Sequence, residues 1–146
     1  MAYIESSIII SGKPEDVYSM ASDMEKYPQY MPDVESVRVL KREGRSTVTE
    51  WATNVEGTSI IWKEEDLFND EERRIRYRLI EGDLDKFEGE WLFTPVDGGT
   101  MVTLTVDYDF GIPSLTELIG PTLELKVRQN SEMMLQAMKE KIEHKK

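Results

Sequence analysis

The sequence contains no cysteine and only one histidine, His144, which lies in the charged C-terminal end. Without cysteine the chain cannot build a disulfide framework, use a thiolate nucleophile or hold a metal through sulfur. A single histidine argues against histidine-centred catalysis and against a multi-histidine metal site. We therefore expect neither a metal nor a cofactor.

The chain also lacks long hydrophobic runs and an excess of positive charge. No run approaches the roughly 20 apolar residues of a membrane-spanning helix, and the start, Met-Ala-Tyr-Ile-Glu, has no signal-peptide pattern. We expect a cytoplasmic protein without stable membrane insertion. The formal net charge of −11 argues against nucleic acid as a partner, because phosphate binding needs a basic surface. The same charge disfavours docking to acidic carrier proteins.

What the chain has is a long series of alternating polar and apolar residues, which is typical of half-buried strands. Its 146 residues suit one domain, residues 1–146, large enough to bury a core. The first strand places Ile4, Ser6, Ile8 and Ile10 on one face. Six more strands follow: Val34–Arg42, Thr47–Val55, Ser59–Phe68, Arg74–Ile80, Phe87–Pro95 and Met101–Phe110. Their short connections predict a consecutive antiparallel meander, with the first strand pairing with one of its edges.

Helical spacing appears in two places. Pro14 suits the first turn of a short amphipathic helix, and the prolines of Tyr27–Pro32 leave at most a one- or two-turn segment after it. Gly111-Ile112-Pro113 ends the sheet, and Gly120-Pro121 indicates a kink or a restart. Beyond Pro121 an apolar stripe predicts an amphipathic helix of about 25 residues. One such helix can cover seven strands only if the sheet curls around it.

Several local sequences support a family resemblance. They are Asp23–Pro32 followed by Val34–Val39, the turn Glu81-Gly82, the segment Gly89–Phe93 and the hairpin Asp97–Thr100. With the order of elements, they resemble the START-related (SRPBCC, helix-grip) superfamily, in particular its polyketide cyclase/dehydrase and coenzyme Q-binding protein branch. The resemblance implies an α+β helix-grip fold, in which a seven-stranded curved antiparallel sheet wraps around a long C-terminal helix. Two short helices would follow strand one, and a pocket would lie between sheet and helix.

Large rings at alternating strand positions are the main candidates for ligand binding. They either fill a core or leave a hollow lined with aromatic groups, and apolar hollows with a few polar groups are the usual small-molecule sites. The candidate ligand-binding residues on the strands and on the last helix are Trp51, Trp62, Tyr77, Phe87, Trp91, Phe93, Tyr108, Leu123, Val127, Asn130 and Met134.

Three polar residues add alternatives. Asn130 interrupts the apolar helix stripe, so its amide bonds either to the sheet or to a ligand carbonyl or hydroxyl. Glu64 and Asp66 share a face with Trp62 if the strand continues without a bulge. Facing inward they would have raised pKa values and could act as catalytic acid and base; facing outward they would simply be solvated.

Two functions follow, and the sequence contains no catalytic motif that decides between them. The first is a binding or carrier module for a hydrophobic small molecule such as a lipid, an isoprenoid quinone or an aromatic polyketide. The alternative is a polyketide cyclase/dehydratase of the aromatase/cyclase type. The resemblance to that type implies an arginine on the strand after the tryptophan. At that place this chain reads Lys63-Glu64-Glu65-Asp66. This departure favours the binding module.

Overall fold

A computed structural model describes the backbone of residues 2–55, 58–82, 84–109 and 113–144, and the side chains of residues 3–54, 59–82, 84–109 and 124–144. In chain order the elements are β1 (Ala2–Ile10), α1 (Pro14–Ser22), a 3₁₀ segment (Met24–Gln29), β2 (Val34–Glu43), β3 (Ser46–Val55), β4 (Thr58–Asn69), β5 (Arg74–Gly82), β6 (Lys86–Val96), β7 (Gly99–Asp109) and α2 (Pro113–Glu143). Among these residues no helix is long and apolar enough to cross a bilayer.

The strands form one antiparallel sheet in the order β1-β7-β6-β5-β4-β3-β2. The predicted meander is therefore confirmed, and β1 pairs with β7 at one end of it. Short connections explain this order, because each strand returns beside its predecessor. At two of the turns a glycine adopts a positive φ, 60° at Gly44 and 81° at Gly98. The α+β helix-grip fold that the sequence predicted is confirmed.

Gly89 on β6 lies where atoms of the two neighbouring strands, β5 and β7, come very close to its backbone. A Cβ atom there would lie 2.0 Å from the carbonyl oxygen of Thr105 on β7 and 2.8 Å from the hydroxyl oxygen of Tyr77 on β5. The Tyr77 hydroxyl donates a hydrogen bond of 2.6 Å to that same carbonyl. The space beside Gly89 is thus filled by the protein itself, and a glycine is required where these strands curl together.

Helix α2 is longer than the sequence predicted. It begins at Pro113, not at Pro121, and the helical backbone continues through Gly120 and Pro121 to Glu143. Pro113 suits this start, because the first residue of a helix needs no N–H donor. The C-terminal end is attached to the β1–α1 region: Lys139 Nζ donates to the carbonyl oxygen of Ile9 at 3.0 Å, and the Ser11 N–H donates to Glu143 Oε2 at 2.9 Å.

Candidate functional site

A cavity lies between the inner face of the sheet and the middle of α2. About 50 Å³ is open to the centres of water-sized molecules, and the whole unfilled space, its mouth included, is about 480 Å³. The first figure corresponds to room for a few waters. Most of the wall is apolar, and polar groups reach it from both sheet and helix. The wall consists of Trp51, Thr53, Trp62, Glu64, Tyr77, Phe87, Trp91, Leu104, Val106, Val127, Asn130, Ser131 and Met134.

Stacked and tilted rings form the sheet side of the cavity. Trp51 on β3 and Trp62 on β4 are register partners, and their rings stack with centroids 5.7 Å apart and planes 5° apart. Phe87 on β6 continues the wall, 5.0 Å from Trp62 and 5.4 Å from Tyr77. Alternation along each strand brings these rings to one face, and the pairing of the strands brings them into contact.

Tyr27, from the 3₁₀ segment, supports this wall. It is fully buried, and its ring packs edge-on against Trp51 at 5.6 Å and against Trp91 at 6.2 Å. Its hydroxyl donates to the carbonyl oxygen of Ala21 at 2.6 Å. A buried phenol with a satisfied donor holds the tryptophans without offering a polar group to the cavity.

Most of the sequence-predicted ligand residues come together at this cavity. Those in its wall are Trp51, Trp62, Tyr77, Phe87, Trp91, Val127, Asn130 and Met134. Phe93 and Tyr108 are buried but are not part of the wall; Phe93 packs edge-on against Tyr18 at 5.5 Å. The side chain of Leu123 lies outside the described residues. Ligand binding by these residues stays a prediction.

Four residues of the wall were missed by the sequence reasoning: Thr53, Leu104, Val106 and Ser131. The signal for three of them was present. Thr53 follows Trp51 by two positions on β3, and Leu104 and Val106 alternate on β7, so they share the inward faces of their strands. Ser131 is adjacent to Asn130 and is 2% exposed. Ser131 is buried because the buried side of α2 includes Ser131 and Leu135, each one residue after Asn130 and Met134 of the predicted apolar stripe.

Asn130 lines the cavity and carries an unused donor. Its Nδ2 atom is buried, and no acceptor among the described residues reaches it. A bond from this nitrogen to the sheet, the first of the two alternatives, is therefore not formed within the described part of the chain. A buried N–H without a partner costs free energy. A ligand oxygen in the cavity would remove that cost.

Glu64 and Asp66 both face the interior, because β4 runs from Trp62 to Asp66 without a bulge of its own. Glu64 is 3% exposed and accepts a hydrogen bond of 2.8 Å from Trp62 Nε1. Asp66 is 0% exposed, and its Oδ2 atom accepts from Thr49 at 2.6 Å and from Thr47 at 3.1 Å. Thr47 and Asp66 are register partners, which explains one of these contacts. Glu64 lines the cavity, and Asp66 lies behind it.

Burial raises the pKa values of both carboxyl groups. Burial, the charge of Asp66 and a hydrogen bond to Asp66 raise the pKa of Glu64 well above its ordinary value. Burial also raises the pKa of Asp66, while hydrogen bonds from Glu64, Thr49 and Thr47 lower it. Glu64 is therefore the more readily protonated of the two. Asp66 Oδ1 is buried and has no hydrogen-bond partner among the described residues.

Chemically, the site offers an apolar space with a neutral carboxylic acid on the sheet wall and a free amide donor on the helix wall. A carboxylic acid that stays protonated at neutral pH is a competent general acid. An aromatic cavity with two polar groups is equally a binding site for a molecule that is mostly hydrocarbon.

A curved antiparallel sheet wrapped around a C-terminal helix, with a cavity between them, is the helix-grip arrangement. Residues 10–135 match the family model described as polyketide cyclase / dehydrase and lipid transport. The chain belongs to this family.

Individual relatives agree with this assignment. The structure of TTHA0849 from Thermus thermophilus is 34% identical with a TM-score of 0.93, covering 98% of both chains. The Zhui aromatase/cyclase from Streptomyces sp. R1128 has a TM-score of 0.89 at 21% identity, covering 98% of this chain and 94% of that one, and so shows the fold. A granaticin polyketide synthase bifunctional cyclase/dehydratase from Streptomyces violaceoruber is 27% identical over 103 residues. That alignment covers 68% of this chain and 32% of the relative, so the chain spans about a third of the relative's length.

Proposed function

We propose that the chain binds a hydrophobic small molecule in the cavity between the sheet and α2, as a binding or carrier module. A lipid, an isoprenoid quinone and an aromatic polyketide are the candidate classes. The observation that carries the proposal is the aromatic cavity itself, which keeps the unpartnered Asn130 Nδ2 inside a mostly apolar wall. The cytoplasmic location stays a prediction from the sequence.

The size of the cavity adds a requirement. With about 50 Å³ open to water-sized molecules, it is smaller than the usual space of 300–1,000 Å³ around a drug-sized ligand. A ligand with several rings or a long chain must widen the space. The C-terminal end of α2 is hydrogen-bonded to Ile9 and Ser11. Widening would therefore come from a movement of α2 on the N-terminal side of these bonds.

The proposal can be tested by extracting the natively purified protein with organic solvent and identifying bound molecules by mass spectrometry. A matched pair of variants gives the test its control. Val127→Phe adds a ring to the cavity wall, whereas Leu125→Phe adds the same ring to an exposed position on the same helix. We expect Val127→Phe to release the ligand and Leu125→Phe to keep it. No recovered ligand, and no binding of an apolar probe by the unmodified protein, would reject the proposal.

A second candidate, a cyclase/dehydratase, is favoured by one observation: Glu64 lines the cavity, and burial raises its pKa well above the ordinary value. In a dehydration, Glu64 would give its proton to the hydroxyl that leaves as water, and the carboxylate so formed would take a proton from the neighbouring carbon as the double bond forms. The aromatase/cyclase and the cyclase/dehydratase among the similar proteins support this reading.

Glu64→Gln tests the enzyme, since the amide keeps the shape of the side chain but cannot supply the proton. Turnover of a poly-β-ketone should fall about 10²-fold or more if Glu64 is the general acid. The control is Glu65→Gln on the outer side of the same strand. Equal turnover in the two variants would remove Glu64 from the mechanism.

A further inference from the structure

Two carboxyl groups are buried at the sheet side of the cavity. Asp66 is 0% exposed, and its Oδ2 atom accepts hydrogen bonds from the hydroxyl groups of Thr47 and Thr49, which favour its ionised form. Beside it Glu64, whose pKa is raised further, is the protonated partner, so that the pair carries one negative charge. Among the described residues no lysine or arginine forms an ion pair with either group; their partners are the neutral donors of Trp62, Thr47 and Thr49. Hydrogen bonds hold this charge in place, but no cation in the described part of the chain neutralises it.

The opposite wall offers a donor and no charge. Asn130 Nδ2 is buried without an acceptor among the described residues, and Asn130 lies on α2, across the cavity from the sheet. A ligand that satisfies this N–H must bring an oxygen or nitrogen lone pair. Both a ketone and a carboxylate could do so, and the difference between them lies in what the other wall tolerates.

Resting on the binding function proposed above, we infer that the cavity selects neutral ligands with a carbonyl acceptor, such as ketones and quinones, against carboxylates of the same carbon skeleton. Asn130 binds the acceptor. Asp66, which lies behind Glu64 and does not touch the cavity, holds the negative charge that disfavours a carboxylate ligand.

The physical reason is that like charges repel strongly where water is scarce. A carboxylate entering the cavity would lose its hydration and would stand near the charge of the pair, in surroundings that screen far less than water. A ketone loses only the hydration of one carbonyl and regains a hydrogen bond from Asn130. The preference therefore depends on charge and does not depend on the size of the ligand.

Three one-ring ligands test the inference at a size suited to the small cavity. Acetophenone is the neutral ketone, benzoate is ionised at neutral pH because carboxyl pKa values lie near 4, and ethylbenzene has no acceptor. Binding can be followed by tryptophan fluorescence and by the indole N–H signals in NMR spectra, because Trp51, Trp62 and Trp91 all line the cavity. This comparison needs only the unmodified protein.

Two pairs of variants assign the preference to its residues. Glu64→Gln with Asp66→Asn removes the buried charge with little change in shape and leaves an oxygen for the donors of Trp62, Thr47 and Thr49. Its control is Glu65→Gln with Glu81→Gln. The control removes two acids that pair with Arg78 and Lys63 on the exposed side. Asn130→Leu removes the cavity donor, and exposed Gln129→Leu on the same helix is its control.

We expect acetophenone to bind at least about tenfold more tightly than benzoate, a difference of about 1.4 kcal/mol. The ratio of the two affinities should shrink in Glu64→Gln/Asp66→Asn and persist in its control. Asn130→Leu should abolish the advantage of acetophenone over ethylbenzene.

Benzoate binding as tightly as acetophenone to the unmodified protein would overturn the inference and leave the binding function intact. Equal binding of ethylbenzene and acetophenone would overturn the role of Asn130. Failure of all three ligands to bind would count against the binding function itself.

Discussion

Glu64 and Glu65 are adjacent on β4 and face opposite sides of the sheet. Glu64 is 3% exposed, accepts from Trp62 and has a strongly raised pKa because burial and Asp66 disfavour its charge. The Glu65 side chain is 32% exposed and pairs with Arg78 at 2.9 Å. Identical side chains one residue apart thus serve as a neutral acid and as a surface ion-pair partner. Their chemistry is set by the side of the sheet on which they lie.

The same contrast extends along the sheet. The inner side holds the tryptophans, the carboxyl pair and the cavity. The outer side holds ion pairs between neighbouring strands, such as Lys63–Glu81 at 3.0 Å and Lys86–Asp107 at 3.1 Å. Contacts on the inner side are buried and few can be removed without leaving a gap or an unpaired group, whereas the outer pairs are partly exposed and are screened by water and salt.

The largest difference between the two sides should appear when large side chains are removed. Trp62→Ala takes away a ring that is 7% exposed and stacked on Trp51, and we expect a loss of about 3–5 kcal/mol in the free energy of unfolding. Ile61→Ala, the neighbouring position at 49% exposure, should cost less than about 1 kcal/mol. Urea unfolding followed by circular dichroism measures both. Similar losses would show that the inner wall is not the stabilising side.

The close packing of the curved sheet at Gly89 should make the stability of the protein sensitive to a substitution there. Gly89→Ala places a methyl group 2.0 Å from the Thr105 carbonyl oxygen, so strands must separate, and we expect a loss of about 2–3 kcal/mol. Gly44→Ala is the control, because its Cβ would meet nothing within 4 Å and only the positive φ of 60° opposes it. That change should cost about 1 kcal/mol. A thermal unfolding series would contradict the close approach if Gly89→Ala were the milder substitution.

A pH series should separate the two glutamates. The folded protein keeps a proton on the Glu64–Asp66 pair that the unfolded chain releases above the ordinary glutamate pKa of about 4.3. The unfolded state then binds fewer protons, so the free energy of unfolding should fall as the pH rises through and beyond this value, by up to about 1.4 kcal/mol per pH unit until the raised pKa is passed. Glu64→Gln should remove most of this decrease in the free energy of unfolding. At a pH well above about 4.3 the variant should therefore be more stable than the unmodified protein.

Glu65→Gln provides the comparison for that series. It should keep the pH dependence of the unmodified protein, because the buried pair is untouched. Denaturant midpoints recorded from acidic to alkaline pH measure both variants. If the curve for Glu64→Gln retained the full slope, the proton of the folded state would have to reside elsewhere.

The smallest effect should come from the outer ion pairs. A double-mutant cycle on Arg78 and Glu65, each changed to Ala, should give a coupling of about 0.2–1 kcal/mol. High salt should reduce it further, since the Arg78 side chain is 70% exposed. A coupling above about 2 kcal/mol, or one insensitive to salt, would break the contrast between the two sides of the sheet.

Much of the fold could be predicted because it depends on local patterns. Alternation placed each predicted strand within a few residues of its observed ends, as with Arg74–Ile80 against Arg74–Gly82, and short turns implied the meander. The start of α2 could not be predicted in this way. Gly120 and Pro121 are ordinarily helix breakers, yet the helical backbone continues from Pro113 through them, an outcome that propensity alone does not anticipate.

The candidate site was only partly predictable. The inward direction of Glu64 and Asp66 depended on whether a bulge interrupts β4. The pairing of β4 with β5 does contain a register shift, because Lys63 pairs with Glu81 whereas the next residue, Glu64, pairs with Leu79. The extra residue therefore lies on β5, and β4 keeps its alternation. Bulges depend on the pairing of two strands, so the sequence of one strand does not reveal them.

By itself the sequence determined which residues share a face: rings with rings on the strands, and Trp62 with Glu64 and Asp66 on β4. Side-chain alternation follows from backbone geometry alone, so that information is local. Only the tertiary structure decided that Trp51 stacks on Trp62, that a small cavity remains beside them and that burial raises the pKa values of two neighbouring carboxyl groups. Those outcomes depend on distances and desolvation between strands and a helix far apart in the chain, which no local pattern encodes.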